Sequence, residues 1–183
     1  MSIFDEISKL KKSGKEPYQW YRNRIKELGT PSQAQLIRDG KITGRVSFGA
    51  LNMFIYDPKL KNKLPYYDTF PLVLPLERYR DGFLGINFHY LPISLRIKLL
   101  DRLVDYTNSE DFTAATTRMV VDYNKLKSVK LIRPTIHKYL SGHTKSQFRR
   151  IDADEWTIAA LLPVQRFKKA SASEVWKESR SMI

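Results

Sequence analysis

Apolar residues in the first 40 positions recur at helical spacing, in short runs. Ser2 precedes a run in which Ile3, Ile7 and Leu10 share one face, and a serine there can cap the first turn. Pro17 suits a helix start, Tyr21, Ile25 and Leu28 form the next stripe, and Gly29 ends it. Thr30-Pro31-Ser32-Gln33 predicts a third start, with Thr30 as cap, Pro31 in the first helical position and Gln33 reaching back, and Gly40 closes that helix. Helices this short are marginal alone. Residues 1–40 therefore have to dock, on the rest of the chain or as an N-terminal arm on a neighbouring subunit.

The pattern changes between Leu51 and Tyr90, where aromatics, aliphatics and prolines form one dense block. Leu51–Tyr56 predicts a strand ended by Asp57-Pro58. The runs Thr69–Tyr79 and Phe83–Tyr90 flank Arg80-Asp81-Gly82, and Asp-Gly between two apolar runs is a hairpin signal. Pro71 and Pro75 cannot donate to a ladder, which makes residues 69–79 an edge strand or an extended segment covered by something else. Aromatic density there, with Tyr66, Tyr67 and Phe70, suits a surface covered by a docking partner or by later helices of the same chain.

Pro92 opens the clearest helix. Leu95, Leu99 and Leu103 make its stripe, Ile93, Ile97, Leu100 and Val104 widen it, and Ser94, Lys98, Asp101 and Asp105 form the wet face. Further helices are predicted over Ala114–Leu126, over Pro134–Leu140 (stopped by Gly142), and over Trp156–Leu162 after the acidic cap Asp152–Glu155. Ser171 and Glu174 form a capping box that starts the last one. With no repeat, low-complexity tract or linker, the chain reads as one α+β domain over 1–183, a small antiparallel sheet at about 46–90 packed by N- and C-terminal helices.

Composition adds exclusions. At 42% hydrophobic and 28% charged residues the chain has the make-up of a folded protein. No run reaches the ~18 apolar residues of a membrane span, and the N-terminus lacks the apolar centre of a secretory signal. The absence of cysteine rules out disulfides and cysteine metal sites.

Charge is less ordinary. The net charge is +13, distributed as +7 over residues 1–65, −2 over 66–124 and +8 over 125–183. A near-neutral apolar centre between basic flanks favours an anionic partner (nucleic acid, an acidic protein surface or an anionic membrane), against the plain alternative of a lysine-rich solvated surface. The clusters are Lys9, Lys11, Lys12 and Lys15; Lys59, Lys61 and Lys63; Lys125, Lys127, Lys130 and Arg133; Lys145, Arg149 and Arg150; and Arg166, Lys168 and Lys169. Such residues neutralise backbone phosphates without reading sequence.

Catalytic chemistry is poorly provided for. His89, His137 and His143 are the only histidines, and His137 and His143 straddle Gly142 without a cysteine or a dense carboxylate cluster, so no metal site and no cofactor is expected. A Ser94–His89–Asp triad lacks a Gly-x-Ser-x-Gly elbow. A phosphate-binding glycine loop is missing. A magnesium nuclease built on Asp57-Pro58-Lys59 and Glu77 lacks the carboxylate-x-lysine of a second strand, because Arg78 and Tyr79 follow Glu77.

Three stretches carry a family resemblance: Met53-Phe54-Ile55-Tyr56-Asp57-Pro58-Lys59, Leu64-Pro65-Tyr66-Tyr67-Asp68-Thr69-Phe70-Pro71-Leu72, and Gly82 through Pro92. Glu155-Trp156, Pro163-Val164-Gln165-Arg166-Phe167 and Val175-Trp176 extend it. Together they resemble a virion structural protein of large contractile-tailed phages, of the kind labelled DNA end protector. The resemblance implies a non-enzymatic protein of the virion, assembled in the host cytoplasm among other phage proteins, with no catalytic residue to carry over. Its expected place is near double-stranded DNA, at the packaged genome end or the head–tail neck. The alternative is a baseplate or tail-hub position, and a phage nuclease is the reading from another class. The expected contacts to DNA or an acidic partner are Lys59, Lys61, Lys63, Lys125, Lys127, Lys130, Arg133, Arg149, Arg150, Lys168 and Lys169, with Tyr66, Tyr67 and Phe70 docking a protein.

Overall fold

The computed structural model describes residues 1–12, 16–107, 126 and 129–183, and the side chains of 104–107 are not among them. The helix expected over Ala114–Leu126 lies outside the described residues except for Leu126, and Lys125 and Lys127 lie outside them too.

The chain opens with helices α1 (Ile3–Leu10), α2 (Tyr18–Leu28) and α3 (Gln33–Arg38). Ser2 caps α1, as its sequence suggests, and Asp5 completes a capping box. The cap of α3 falls two residues later than expected. Ser32, not Thr30, accepts from the backbone, and Gln35 reaches back to it. Ile3, Phe4, Ile7, Tyr21, Ile25 and Leu36 are buried in the main core, so the first 40 residues dock on their own chain.

Strands β1 (Lys41–Thr43), β2 (Leu51–Met53), β4 (Leu72–Tyr79), β5 (Gly82–Asn87), β6 (Ile136–Leu140) and β7 (Phe148–Ile151) form one antiparallel sheet in the order β1-β7-β2-β4-β5-β6. A second, two-stranded sheet pairs β3 (Tyr67–Asp68) with β8 (Phe167–Lys168). Helix α4 (Ile93–Thr107), α5 (Trp156–Leu161) and α6 (Ala172–Ser181) complete the mixed α+β architecture.

Three expectations are corrected. First, the sheet is wider than residues 46–90, with β1 before that block and β6 and β7 after it. Second, Pro134–Leu140 is not a helix: a 3-10 turn over Lys130–Thr135 leads into β6. Ile136 to Leu140 pair with Ile86 to Gly82, and that ladder outweighs any local helical signal from Pro134. Third, β4 is an interior strand between β2 and β5. Pro71 lies just before the strand, and Pro75 within it is tolerated because β2 spans three residues and meets only Leu72 and Val73, while a register shift follows Pro75 on the β5 side.

Alternation along the strands separates two cores. Leu51, Met53, Leu72, Leu74, Ile86 and Ile151 face the helices with Leu99, Leu100, Leu103 and Ile158. Val73, Phe83, Tyr139 and Phe148 face the other way and join Phe54 and Tyr56 in an aromatic cluster, with Val46 and Phe48 packed against it. Phe54 sits at its centre, 4.8–6.1 Å from the rings of Tyr56, Phe83, Tyr139 and Phe148. Such pairs each add about 0.5–1.5 kcal/mol beyond area burial. Asn52, fully buried on this side, bonds Ser47 N–H and O and Ala50 O and fixes the preceding loop.

Candidate nucleic-acid interface

Residues 57–64 form a tight turn, with Lys61 N–H bonded to Pro58 O and the N–H groups of Lys63 and Leu64 to Leu60 O. Two contacts pin it to the segment after β6: Asp57 N–H donates to His143 O, and His143 Nδ1 lies 2.9 Å from Asp57 O. A third comes from the far end of the chain. Lys169, in the left-handed region at φ 69°, sends its Nζ to Lys61 O and Leu64 O. The β3–β8 ladder runs beside it, pairing Tyr67 with Lys168, and Thr69 N–H donates to Arg166 O.

These contacts gather two basic clusters that lie about a hundred residues apart in sequence, 59–63 and 166–169. Lys138 on β6 and Lys145 join them: Lys138 shares a pocket wall with Lys59, and Lys145 N–H bonds Ile55 O. Lys61 is paired with Asp57 at 2.9 Å and Lys138 with Asp81 at 3.0 Å. The hydrogen bond from Lys61 holds the Asp57 carboxyl below its ordinary range, and that from Lys138 does the same for Asp81. Lys59, Lys63, Lys145 and Lys168 are exposed and have no carboxylate partner among the described residues. Lysines therefore outnumber carboxylates on this face, and four of their ammonium groups are placed to meet an anion.

An aromatic pocket of about 280 Å³ opens in this face. Tyr56, Tyr67, Tyr90, His137 and Tyr139 line it, and Lys59, Leu60, Leu64 and Lys138 complete its wall. Tyr90 stacks on His137 with ring centroids 4.1 Å apart and meets Phe167 edge-on at 5.2 Å. Burial pushes the His137 pKa down to about 4, so its ring is neutral at pH 7.

Asp68, buried in the pocket lining, is held by four donors. Its Oδ1 accepts from Phe70 and Arg166 N–H, and its Oδ2 from Asn87 Nδ2 and His89 Nδ1. Burial pushes the Asp68 carboxyl up, but the His89 ring, the Phe70 N–H and the Asn87 amide together outweigh it and hold it below its usual range. Burial lowers the His89 pKa, so the pair is carboxylate and neutral imidazole at neutral pH. The His89 ring is 0% exposed and its Nε2 has no partner among the described residues, Ser94 included, so the Ser94–His89–Asp triad is not assembled. Asp57 is engaged by Lys61 and Glu77 by Tyr79. Among the described residues no group of three or more His, Asp or Glu could hold a metal ion, and no helix is long and apolar enough to cross a membrane.

Several expected contact residues lie elsewhere. Arg149 is 2% exposed beneath Gly40, its guanidinium 4.3 Å from the Phe4 ring centroid and bonded to Leu36 O, so it does not meet a phosphate backbone. Arg150 is exposed and paired with Asp152. Lys130 and Arg133 stand exposed on the 3-10 turn before β6. Phe70 is fully buried in the main core and offers nothing to a docking partner, whereas Tyr66 and Tyr67 remain half-exposed. Sequence reasoning missed Lys138, Tyr90 and His137. The first and last sit in the stretch expected to be a helix, and Ile136 to Leu140 carry no clean apolar–polar alternation that would have marked a strand.

The described residues thus bring a lysine-rich face and an aromatic pocket together on one side of the molecule. Residues 7–179 match the family model described as Phage T4 terminal DNA protecting protein, and the chain belongs to that family. No curated protein and no solved structure matches it significantly.

Proposed function

We propose that the protein is a non-enzymatic phage virion component that binds double-stranded DNA at genome ends through sequence-independent phosphate contacts. It acts as one domain, in the assembled particle, near the packaged end or the neck and beside other virion proteins. The family places it with DNA-end-associated phage proteins. The observation that carries the reading is the convergence of the 59–63 and 166–169 clusters, with Lys138 and Lys145, on one face. Lysines on a duplex displace condensed counterions, so affinity has to fall with salt.

The test is a DNA-binding titration of the purified chain at several salt concentrations. A fall of about 10³-fold between 50 and 200 mM salt, alike on unrelated sequences, is the expected result. Negligible binding even at low salt would overturn the reading, and would mean that the basic face meets acidic protein, as a baseplate or tail-hub position requires.

A further inference from the structure

We propose that the aromatic pocket between the 57–64 turn and β6 takes the unpaired terminal nucleotide of a DNA end. The inference rests on the DNA-end reading above and goes beyond it, because phosphate contacts alone do not distinguish an end from the middle of a duplex.

Three features select this occupant. The lining is aromatic, with Tyr67, Tyr90 and His137 presenting rings, and every nucleobase has a face that stacks on such rings whatever its sequence. The volume of about 280 Å³ suits one planar group and excludes a run of stacked bases. The wall is cationic where the backbone has to leave the pocket, with Lys59 and Lys138 in it and Lys61 and Lys169 tied to the same turn. His137 is neutral, and the one carboxylate of the lining, Asp68, is buried with its oxygens taken up by four protein donors.

Physics then distinguishes ends from interiors. A base within a duplex reaches such a pocket only after unpairing and unstacking, and that cost is least for a base already unpaired. An open end offers one without breaking a pair, and a closed duplex does not. The lysines supply attachment and the pocket supplies recognition of the end.

The experiment compares two duplexes of equal length, one with single-nucleotide overhangs and one closed at both ends by hairpin loops. It uses the wild-type chain and Leu64→Trp, which fills the pocket from an exposed position. The wild type is expected to prefer the open duplex by about tenfold, within the range of one base–aromatic stack. A 2-aminopurine in the overhang is expected to be quenched on binding, and one at an internal pair is not. Leu64→Trp, checked for an unchanged melting temperature, is expected to lose the preference and keep the affinity for the closed duplex. If it fails to fold, Leu60→Trp replaces it from a second exposed position. Equal wild-type affinity for the two duplexes overturns the pocket assignment and leaves the DNA-binding reading intact. Failure to bind either duplex overturns both.

Discussion

His137 couples the pocket to the protein's response to acid. Its ring is held against Tyr90, its Nε2 lies 3.2 Å from Pro134 O, and burial lowers its pKa from an ordinary 6.5 to about 4. The unfolded chain therefore binds a proton that the folded one refuses. The stabilisation is complete above pH 6.5 and drains away as the pH falls toward 4, by on the order of 2–3 kcal/mol. His89, also lowered by burial, acts in the same direction. Urea unfolding at pH 7.5 and pH 4.5 should show this loss in the wild type and a smaller one in His137→Gln. An equal loss in the variant would place the effect on His89 and other groups. The buried arginines are the other residue-scale feature. Arg96 donates to Leu91, Ala160 and Leu162 carbonyls and to Gln165 and lies over the Trp176 ring, tying α4 to α5 and the C-terminal segment. In the sequence both Arg96 and Arg149 look like surface charges, because an arginine's partners here are backbone carbonyls brought in by the fold and leave no trace in local pattern.

At the scale of elements, hairpin β4–β5 shows what local sequence can and cannot tell. Asp81-Gly82 marks its place correctly, since Tyr79 pairs with Gly82 across a two-residue loop. The reason differs from the turn rule. Neither Arg80 nor Asp81 has a positive φ, and Gly82 is needed because a Cβ there would stand 1.8 Å from Tyr139 O on β6. Close approach to a strand more than 50 residues away is invisible to local reading. Gly82→Ala must push β6 off β5, and about 2 kcal/mol or more of destabilisation is expected, at the level of other overpacked sites. Gly142→Ala has nothing within 4 Å of the new Cβ and serves as the neutral control. Chemical denaturation of the two variants checks the contrast, and equal stabilities would refute the strand-contact argument. The cap at Ser2 and the capping box at Ser171 were legible because each is complete within four residues. The identity of β6 and the interior place of β4 were not, because both follow from pairing at long range.

At the scale of the molecule, the sequence shows a +13 chain with two basic flanks, and the structure divides those flanks unequally. Part of the charge is spent internally, in Arg149 under Gly40 and in the Arg150–Asp152 and Lys41–Asp152 pairs. The remainder includes the face around the 57–64 turn, and a cluster read from spacing alone cannot separate these fates. Attraction by net charge and attraction by a built face also make different predictions. Lys59→Glu with Lys63→Glu changes the net charge from +13 to +9, and so does Arg22→Glu with Lys26→Glu on the exposed side of α2. If whole-molecule charge drew the protein to DNA, the two double variants would weaken binding alike, because a long-range field is indifferent to which four units are removed. If the lysine face meets phosphates directly, only the first pair removes contacts. The slope of log affinity against log salt should then fall by about 2 for the Lys59/Lys63 variant and stay at the wild-type value for the Arg22/Lys26 variant. Matching slopes in the two would return the charge to a general solvated surface and take the DNA interface away from this face.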